Sequence, residues 1–316
     1  MKATHLLRAV ARRVAAAVAV LLGAATVAFA ALQLIPGDPV TTMLGPFSSA
    51  SPEVRDRIRA QYGLGEPVWQ QYLHYLSHLL RGDLGESYQV QRPVSSLISG
   101  QLAPTAQLAL AALAVALLLA VLSATATAGR RPVLRGAASL LELLTVSSPS
   151  YWTGILLLTV FSFHWQLFPV AGAQNGTALV LPALTLALPM TGVLAQVLRE
   201  GLETALHEPF AVTARSRGLS TTAVRLRHAL RHAALPLITL TGWLAGSLLG
   251  GAVLVETVFG RPGIGALILQ ATTNKDMPLA IGLVLLSALV FVVLSTLVDL
   301  LYLVIDPRLR TDQVTP

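Results

Sequence analysis

The side chains that could do chemistry are few, and their spacing fits no catalytic arrangement. The chain has 7 histidines and no cysteine, which removes disulfides, thiolate metal ligands and thiol nucleophiles. A phosphate-binding loop needs Gly-x-x-x-x-Gly-Lys-Ser/Thr so that its lysine can reach the phosphates. The only lysines sit in Met1-Lys2-Ala3 and Asn274-Lys275-Asp276, so there is none. His207-Glu208 lacks the second histidine of a helix-borne zinc site. Gly263-Ile264-Gly265 leads to Ile268 where a dinucleotide fingerprint has glycine or alanine, and no Gly-x-Ser-x-Gly elbow occurs. These patterns point away from an enzyme: no catalytic residue, metal site or cofactor is expected on this chain.

What remains is a handful of polar, small and helix-breaking residues inside apolar runs. Acids in lipid are costly and mark function by default, which singles out Glu142 and Asp299. Both fall near the ends of apolar runs, where hydration or pairing with Arg135 and Arg308 is the expected explanation. Glu256, at the end of another run, is expected to be solvated at the interface or ion-paired. Pro149, within Ser148-Pro149-Ser150, frees a backbone carbonyl in mid-membrane. These three residues are candidates for lining a translocation path, and an ordinary helix kink explains them equally well. Gly242, Gly246 and Gly250 repeat at four-residue spacing and suit close helix packing in lipid.

The elements that carry these residues are set by composition. Only 12% of the 316 residues are charged, 54% are hydrophobic, and mean hydropathy is +0.68. A soluble domain carries about 25% charged residues, so this chain cannot cover a water-facing surface and is expected to be an all-α membrane protein. Six stretches approach the ~20 apolar residues that a crossing requires: 14–36, 93–129, 143–161, 179–198, 233–255 and 277–298. The first exceeds a signal-peptide core of about 7–15 residues and is expected to be a retained helix.

Arginines and lysines accumulate on alternate sides of these spans. Lys2 and Arg8 to Arg13, Arg130 to Arg135, the six arginines from Arg199 to Arg231, and Arg308 with Arg310 fall on one side. The other side receives Arg55, Arg57, Arg59, Arg81, Arg92, Arg261 and Lys275. The positive-inside rule then puts both termini in the cytoplasm. The net charge of +7 is a topology signal with affinity for anionic lipid headgroups and does not indicate nucleic-acid binding.

Two connections are long enough to hold structure. In the external segment 37–100, Ser51-Pro52-Glu53 predicts a helix start and Gly63 its stop. Trp69, Tyr72, Leu73, Leu76, Leu79 and Leu80 recur at helical spacing; that helix is expected at the outer interface, packed on neighbouring spans, or both. The cytoplasmic loop 199–235 mixes six arginines with Leu202, Leu206, Phe210, Val212, Leu219 and Leu226. It predicts short amphipathic helices hinged at Gly218, suited to docking another protein or to adsorption on the membrane surface.

That loop reads Thr213-Ala214-Arg215-Ser216-Arg217-Gly218-Leu219-Ser220, then Arg227-His228-Ala229-Leu230-Arg231, then Leu235-Pro236. It resembles the EAA loop of permease subunits in ATP-binding-cassette importers, and in particular the dipeptide/oligopeptide/nickel group. Further matches follow in order: Ile35-Pro36-Gly37-Asp38-Pro39-Val40, Arg81-Gly82-Asp83-Leu84-Gly85, Ser148-Pro149-Ser150-Tyr151-Trp152, Leu181-Pro182-Ala183-Leu184, Val255-Glu256-Thr257-Val258-Phe259 with Pro262-Gly263-Ile264-Gly265, and Asp306-Pro307-Arg308. Val212 replaces the glutamate that names the loop, and Pro209 stands where the group often has an acid.

The resemblance implies a six-helix type I importer permease with a core over 101–302. It follows an N-terminal segment and first helix over 1–36 and ends in a tail over 303–316. It implies a second, similar permease, two cytoplasmic ATPases that use ATP and magnesium and bind the loop through Thr213, Ala214, Arg215, Arg217, Gly218, Leu235 and Pro236, and an external solute-binding protein. Peptide is the expected cargo. Nickel or a metallophore is the alternative within the group, and a proton-coupled secondary transporter using Glu142 or Asp299 is the alternative outside it.

Overall fold

The computed structural model describes residues 2–34, 39–44, 51–61 and 65–305. Ile35 to Asp38, Gly63, Asp306-Pro307-Arg308 and the tail lie outside the described residues, as do the side chains of Leu235 and Asp299. Among the described residues the secondary structure is helical, apart from one isolated bridge between Glu86 and Pro93.

The helices are α1 (Lys2–Leu34), α2 (Pro39–Leu44), α3 (Pro52–Gln61), α4 (Val68–Leu80), α5 (Val94–Thr127), α6 (Pro132–Ser147), α7 (Ser150–Leu157), α8 (Val180–His207), α9 (Pro209–Ser216), α10 (Thr221–Val224), α11 (Leu230–Val258), α12 (Ile264–Thr273) and α13 (Met277–Ile305). A π-helical turn, Leu158–His164, continues α7; a 3₁₀ turn, Gly176–Leu179, precedes α8; and a second π-helical turn, Arg225–Ala229, leads into α11. Such predominance of helix is what lipid imposes, because backbone donors and acceptors there must be satisfied within the segment.

Among the described residues, five stretches are long and apolar enough to cross a membrane: Ala11–Ala31, Val94–Thr127, Gly176–His207, Pro236–Val258 and Met277–Val298. The sixth candidate, a broken span or a re-entrant loop, departs from the expected 143–161. It begins earlier, at Pro132, and is a pair of helices, Pro132–Ser147 and Ser150–His164, bent by 104° at Ser148-Pro149. Proline cannot donate to the turn before it and drives the preceding residue out of the helical region. Ser148 accordingly has ψ 128°.

One compact unit comprises residues 1–102 and 267–292. Within it α4 packs on α1. Thr26 Oγ1 and Tyr72 Oη lie 2.7 Å apart, and Phe29 contacts the rings of Tyr72 and Tyr75. Another face of α4 exposes Trp69, Leu73 and Leu80, so the expected amphipathic helix forms and one of its faces is partly covered. Asp276, 1% exposed, accepts from Ser87 Oγ and from the Tyr88 backbone N–H at 3.2 Å. This ties the segment before α5 to the start of α13. Gly282 lies so near Val94 that a Cβ there would sit 2.6 Å from Val94 Cγ1.

The other unit comprises residues 103–266 and 293–316. Its core is an alanine ladder on α5. Ala112, Ala116, Ala120, Ala124 and Ala128 are all fully buried at four-residue spacing. The first three pack with Leu181, Ala187, Met190 and Leu194 of α8 and with Leu244 and Leu248 of α11. Lipid tails are as apolar as leucine, so helices gain from backbone approach and close contact rather than from removal of apolar area from water. Small residues in register provide that approach.

Candidate functional site

The 199–235 loop begins where α8 ends, and only Glu208 separates α8 from α9. Pro209 opens α9 at its first position, where a missing N–H is harmless. The helix closes in a Schellman motif: Gly218, at φ +86°, donates to Arg215 O at 2.9 Å, and Leu219 N–H donates to Ala214 O at 3.2 Å. Gly218 is therefore required by its backbone angle, while the space where a Cβ would stand is open. Ser220 caps the following turn, its Oγ accepting from Ala223 N–H at 3.3 Å.

The directions of the loop side chains revise one expectation. Ala214 was expected on the face presented to a partner, but it is 8% exposed and packs with Ala211, Leu202, Leu206 and Val224. The loop has its own small core, and Ala214 fills it. Val212 (56% exposed), Thr213, Arg215 and Arg217 face outward. Thr213 Oγ1 donates to Pro209 O at 3.1 Å and Arg215 Nη2 to Leu206 O at 3.3 Å. Leu235 and Pro236 lie within α11, and Pro236 is exposed. Beside the loop a cleft of 590 Å³ is lined by Glu200, Glu208, Phe210, His232 and Pro236. The Phe210 and His232 rings stack on each other with centroids 4.6 Å apart.

Glu142 pairs with an arginine as expected, but that arginine is Arg199 and not Arg135. Glu142 is 5% exposed, Ser123 Oγ donates to its other oxygen at 2.9 Å, and Arg199 donates to Thr127 Oγ1 at 3.2 Å. Arg135 instead pairs with Glu203 at 3.1 Å. Arg199 and Glu203 are one turn apart on α8, so the two pairs clamp α6 to α8. Gly192 extends the clamp, since a Cβ there would fall 2.7 Å from Glu142 O.

Glu256 is neither solvated nor, among the described residues, in a close ion pair. It is fully buried, accepting from Thr105 Oγ1 at 2.6 Å and from Ala266 N–H at 3.0 Å. Thr105 Oγ1 in turn accepts from Ile264 N–H at 2.7 Å. The carboxylate and Thr105 thus each satisfy one open donor at the start of α12, where a negative charge is favoured. Gly263 leaves it room, because a Cβ there would overlap the Glu256 carboxylate.

Ser148, Pro149 and Ser150 form the break between α6 and α7. Ser148 Oγ donates to Leu144 O at 2.6 Å, and Thr153 N–H takes up Pro149 O at 3.1 Å. Gly242 closely approaches Val298, whereas Gly250 faces open space and its neighbour Gly251 contacts Leu186. Gly246 is half-buried.

Apolar spans, a self-capped basic loop and buried charges held by partners within the chain define a helical membrane protein. The chain belongs to the family described as the binding-protein-dependent transport system inner membrane component, whose model matches residues 116–311. The N-terminal description of the same systems matches residues 6–109. A Brucella abortus chain named as a peptide transport system permease is 37% identical over 311 residues, 95% of this chain and 98% of that one. The glutathione transport system permease GsiC of Salmonella typhimurium is 35% identical over 308 residues, 96% of this chain and 99% of that one.

Two structures of the inward-facing MetNI methionine ABC transporter share the fold. Their TM-scores are 0.52 and 0.54 at 15% and 13% identity, covering 65% and 66% of this chain and 92% and 96% of those chains. The chain is a multi-pass membrane permease with no enzymatic activity of its own, working with an ATPase and a solute-binding protein.

Proposed function

We propose that this chain is one of two similar permease subunits that form the path for peptides, delivered by an external solute-binding protein. Two cytoplasmic ATPases drive the cycle with ATP and magnesium, and this chain binds neither. The observation that carries the choice of cargo is near full-length similarity to permeases named for peptide and glutathione transport. In vesicles holding the assembled transporter and its binding protein, labelled di- or oligopeptide accumulates on ATP addition. Accumulation of nickel with no peptide uptake would reassign the cargo.

The 199–235 loop, 130–135 and both termini face the cytoplasm, and 37–100 faces outward. The absence of native cysteine makes this directly measurable with single cysteines at Ser51 and Ser220. A membrane-impermeant thiol reagent applied to intact cells, with any outer envelope permeabilised, should label position 51 and spare position 220. The reverse pattern would invert the topology.

ATPase closure acts on α9. Because one residue joins α9 to α8, that motion passes into α8, and the clamp at Gly192, Arg199 and Glu203 carries α6 with it. The break at Ser148-Pro149 is where α6 can turn relative to α7. Val212→Glu, on the exposed face, and Gly218→Val, which forces a β-branched residue into a left-handed backbone at about 1–2 kcal/mol, should both reduce import together with binding-protein-stimulated ATP hydrolysis. Arg215→Ala should change little, an exposed ion pair being worth under ~1 kcal/mol. Ala214→Glu should instead disrupt the loop's core and lower the yield of folded protein. Wild-type uptake and hydrolysis in both Val212→Glu and Gly218→Val would remove the loop from the transmission path.

A further inference from the structure

Three arginines, Arg199, Arg225 and Arg261, are each only 4% exposed. Arg199 is paired with Glu142, and Arg261 lies in the field of Glu256. Arg225 has neither kind of compensation. Among the described residues it makes no ion pair, its Nε has no acceptor, and the charged group that acts on it is another cation, Arg130. Burial first, and Arg130 second, lower its pKa, yet a guanidinium does not deprotonate in a protein. A buried cation without a counter-charge is strongly unfavourable, so the anion has to come from outside the described residues.

The surroundings say what kind of anion. Arg225 lies beneath the turn that ends α5, where Gly129 has φ +61° and a Cβ would sit 3.5 Å from Arg225 Nη2. The same turn carries Arg130 and Arg131, both exposed. Exposed apolar side chains adjoin that turn: Val133 and Leu134 at the start of α6 are 82% and 49% exposed. The 34 residues of α5 extend about 51 Å at 1.5 Å each, against roughly 40–45 Å between the outer limits of the two headgroup layers. Its end therefore reaches headgroup level. A ligand that is anionic at that level and apolar along the helix is a phospholipid. We propose that Arg225 and Arg130 form a site for the phosphate of an anionic phospholipid whose acyl chains pass Val133 and Leu134. Basic pockets of this kind at helix ends hold anionic headgroups in membrane proteins generally.

The test uses the assembled transporter in detergent, with phosphatidylglycerol or phosphatidylcholine titrated in and bound lipid counted by native mass spectrometry. The wild type should retain phosphatidylglycerol in preference to phosphatidylcholine. Arg130→Gln, an exposed change that leaves the fold intact, should weaken that retention roughly tenfold, the value of one charge-assisted contact. Arg225→Leu should abolish the preference, and Arg217→Gln should preserve it. Equal retention of the two lipids by the wild type overturns the proposal, as does unchanged retention in both Arg130→Gln and Arg225→Leu. Displacement of phosphatidylglycerol by inorganic phosphate alone would show a free-anion site and also overturn it. Loss of ATPase subunits from Arg225→Leu with lipid retention unchanged would assign the counter-charge to a partner carboxylate instead.

Discussion

Gly265→Ala should eliminate most of the folded protein from the membrane, although it adds a single methyl group. A Cβ at this position would lie 2.5 Å from the Val253 backbone nitrogen and 2.6 Å from Val253 Cα. Neither atom belongs to a side chain that can rotate away. Relief requires α12 to separate from α11, and that separation pulls the Ala266 N–H from Glu256 and the Ile264 N–H from Thr105. Glu256 is fully buried, so its carboxylate would lose a donor with no water to replace it. Overpacking alone costs about 1–3 kcal/mol, and an under-satisfied buried carboxylate adds a penalty of similar size or larger. Gly250→Ala is the matched control. It lies in the long helix before the same turn, has nothing within 4 Å of its Cβ position, and gains up to ~1 kcal/mol of helix propensity. Detergent-extracted yield and thermal midpoint, measured for both variants, decide the matter. A Gly265→Ala protein as stable as Gly250→Ala would mean that the close approach of α11 and α12 is not what the structure describes.

Arg199→Ala should be the most damaging change among the charged side chains, and Glu142→Leu combined with Arg199→Met should restore much of the loss. Arg199 and Glu142 are 4% and 5% exposed. Deleting one partner strands the other charge, at about 3–5 kcal/mol, whereas replacing both with apolar groups is often neutral or stabilising. Stability measured across the two single variants and the double variant separates stranding from the worth of the pair. Import should behave differently. If the pair carries α6 along with α8, the double variant regains stability but transports less per ATP hydrolysed. Recovery of stability and transport together would leave the pair with a packing role only. A double variant as unstable as Arg199→Ala would contradict the pairing itself.

The positions of these sensitive residues show what sequence can and cannot convey. The loop motif marked residues 213–218 as a helix closed by glycine, and Gly218 at φ +86° follows from local chemistry alone. Ala214 shows the limit. Helical spacing puts it on one face of α9, but whether that face meets a partner or the chain's own α8 depends on where α8 lies. Glu142 shows it again. Its acid character in an apolar run signalled a hydrated or paired group, and nearby Arg135 looked like the partner. The actual partner, 57 positions away, is selected by the packing of α6 on α8 at Gly192. Pro149 marked a break, but its 104° angle belongs to the assembled helices.

The alanine ladder of α5 makes the same point for the core. Its four-residue register, Ala112 to Ala128, is visible in the sequence, but it lies in a helix that is apolar on every side. Polarity there cannot tell a packed face from a lipid-facing one, since both environments favour hydrocarbon. What the sequence determined by itself was whatever the solvent and the local backbone dictate: a membrane protein, apolar spans, a structured basic loop and its glycine cap. Lipid requires those features of any chain of this composition. Which small residues meet, which buried charges pair, and which face of α9 is left free were decided only by the tertiary structure, because contact between helices in lipid depends on shape and register, to which hydropathy is blind.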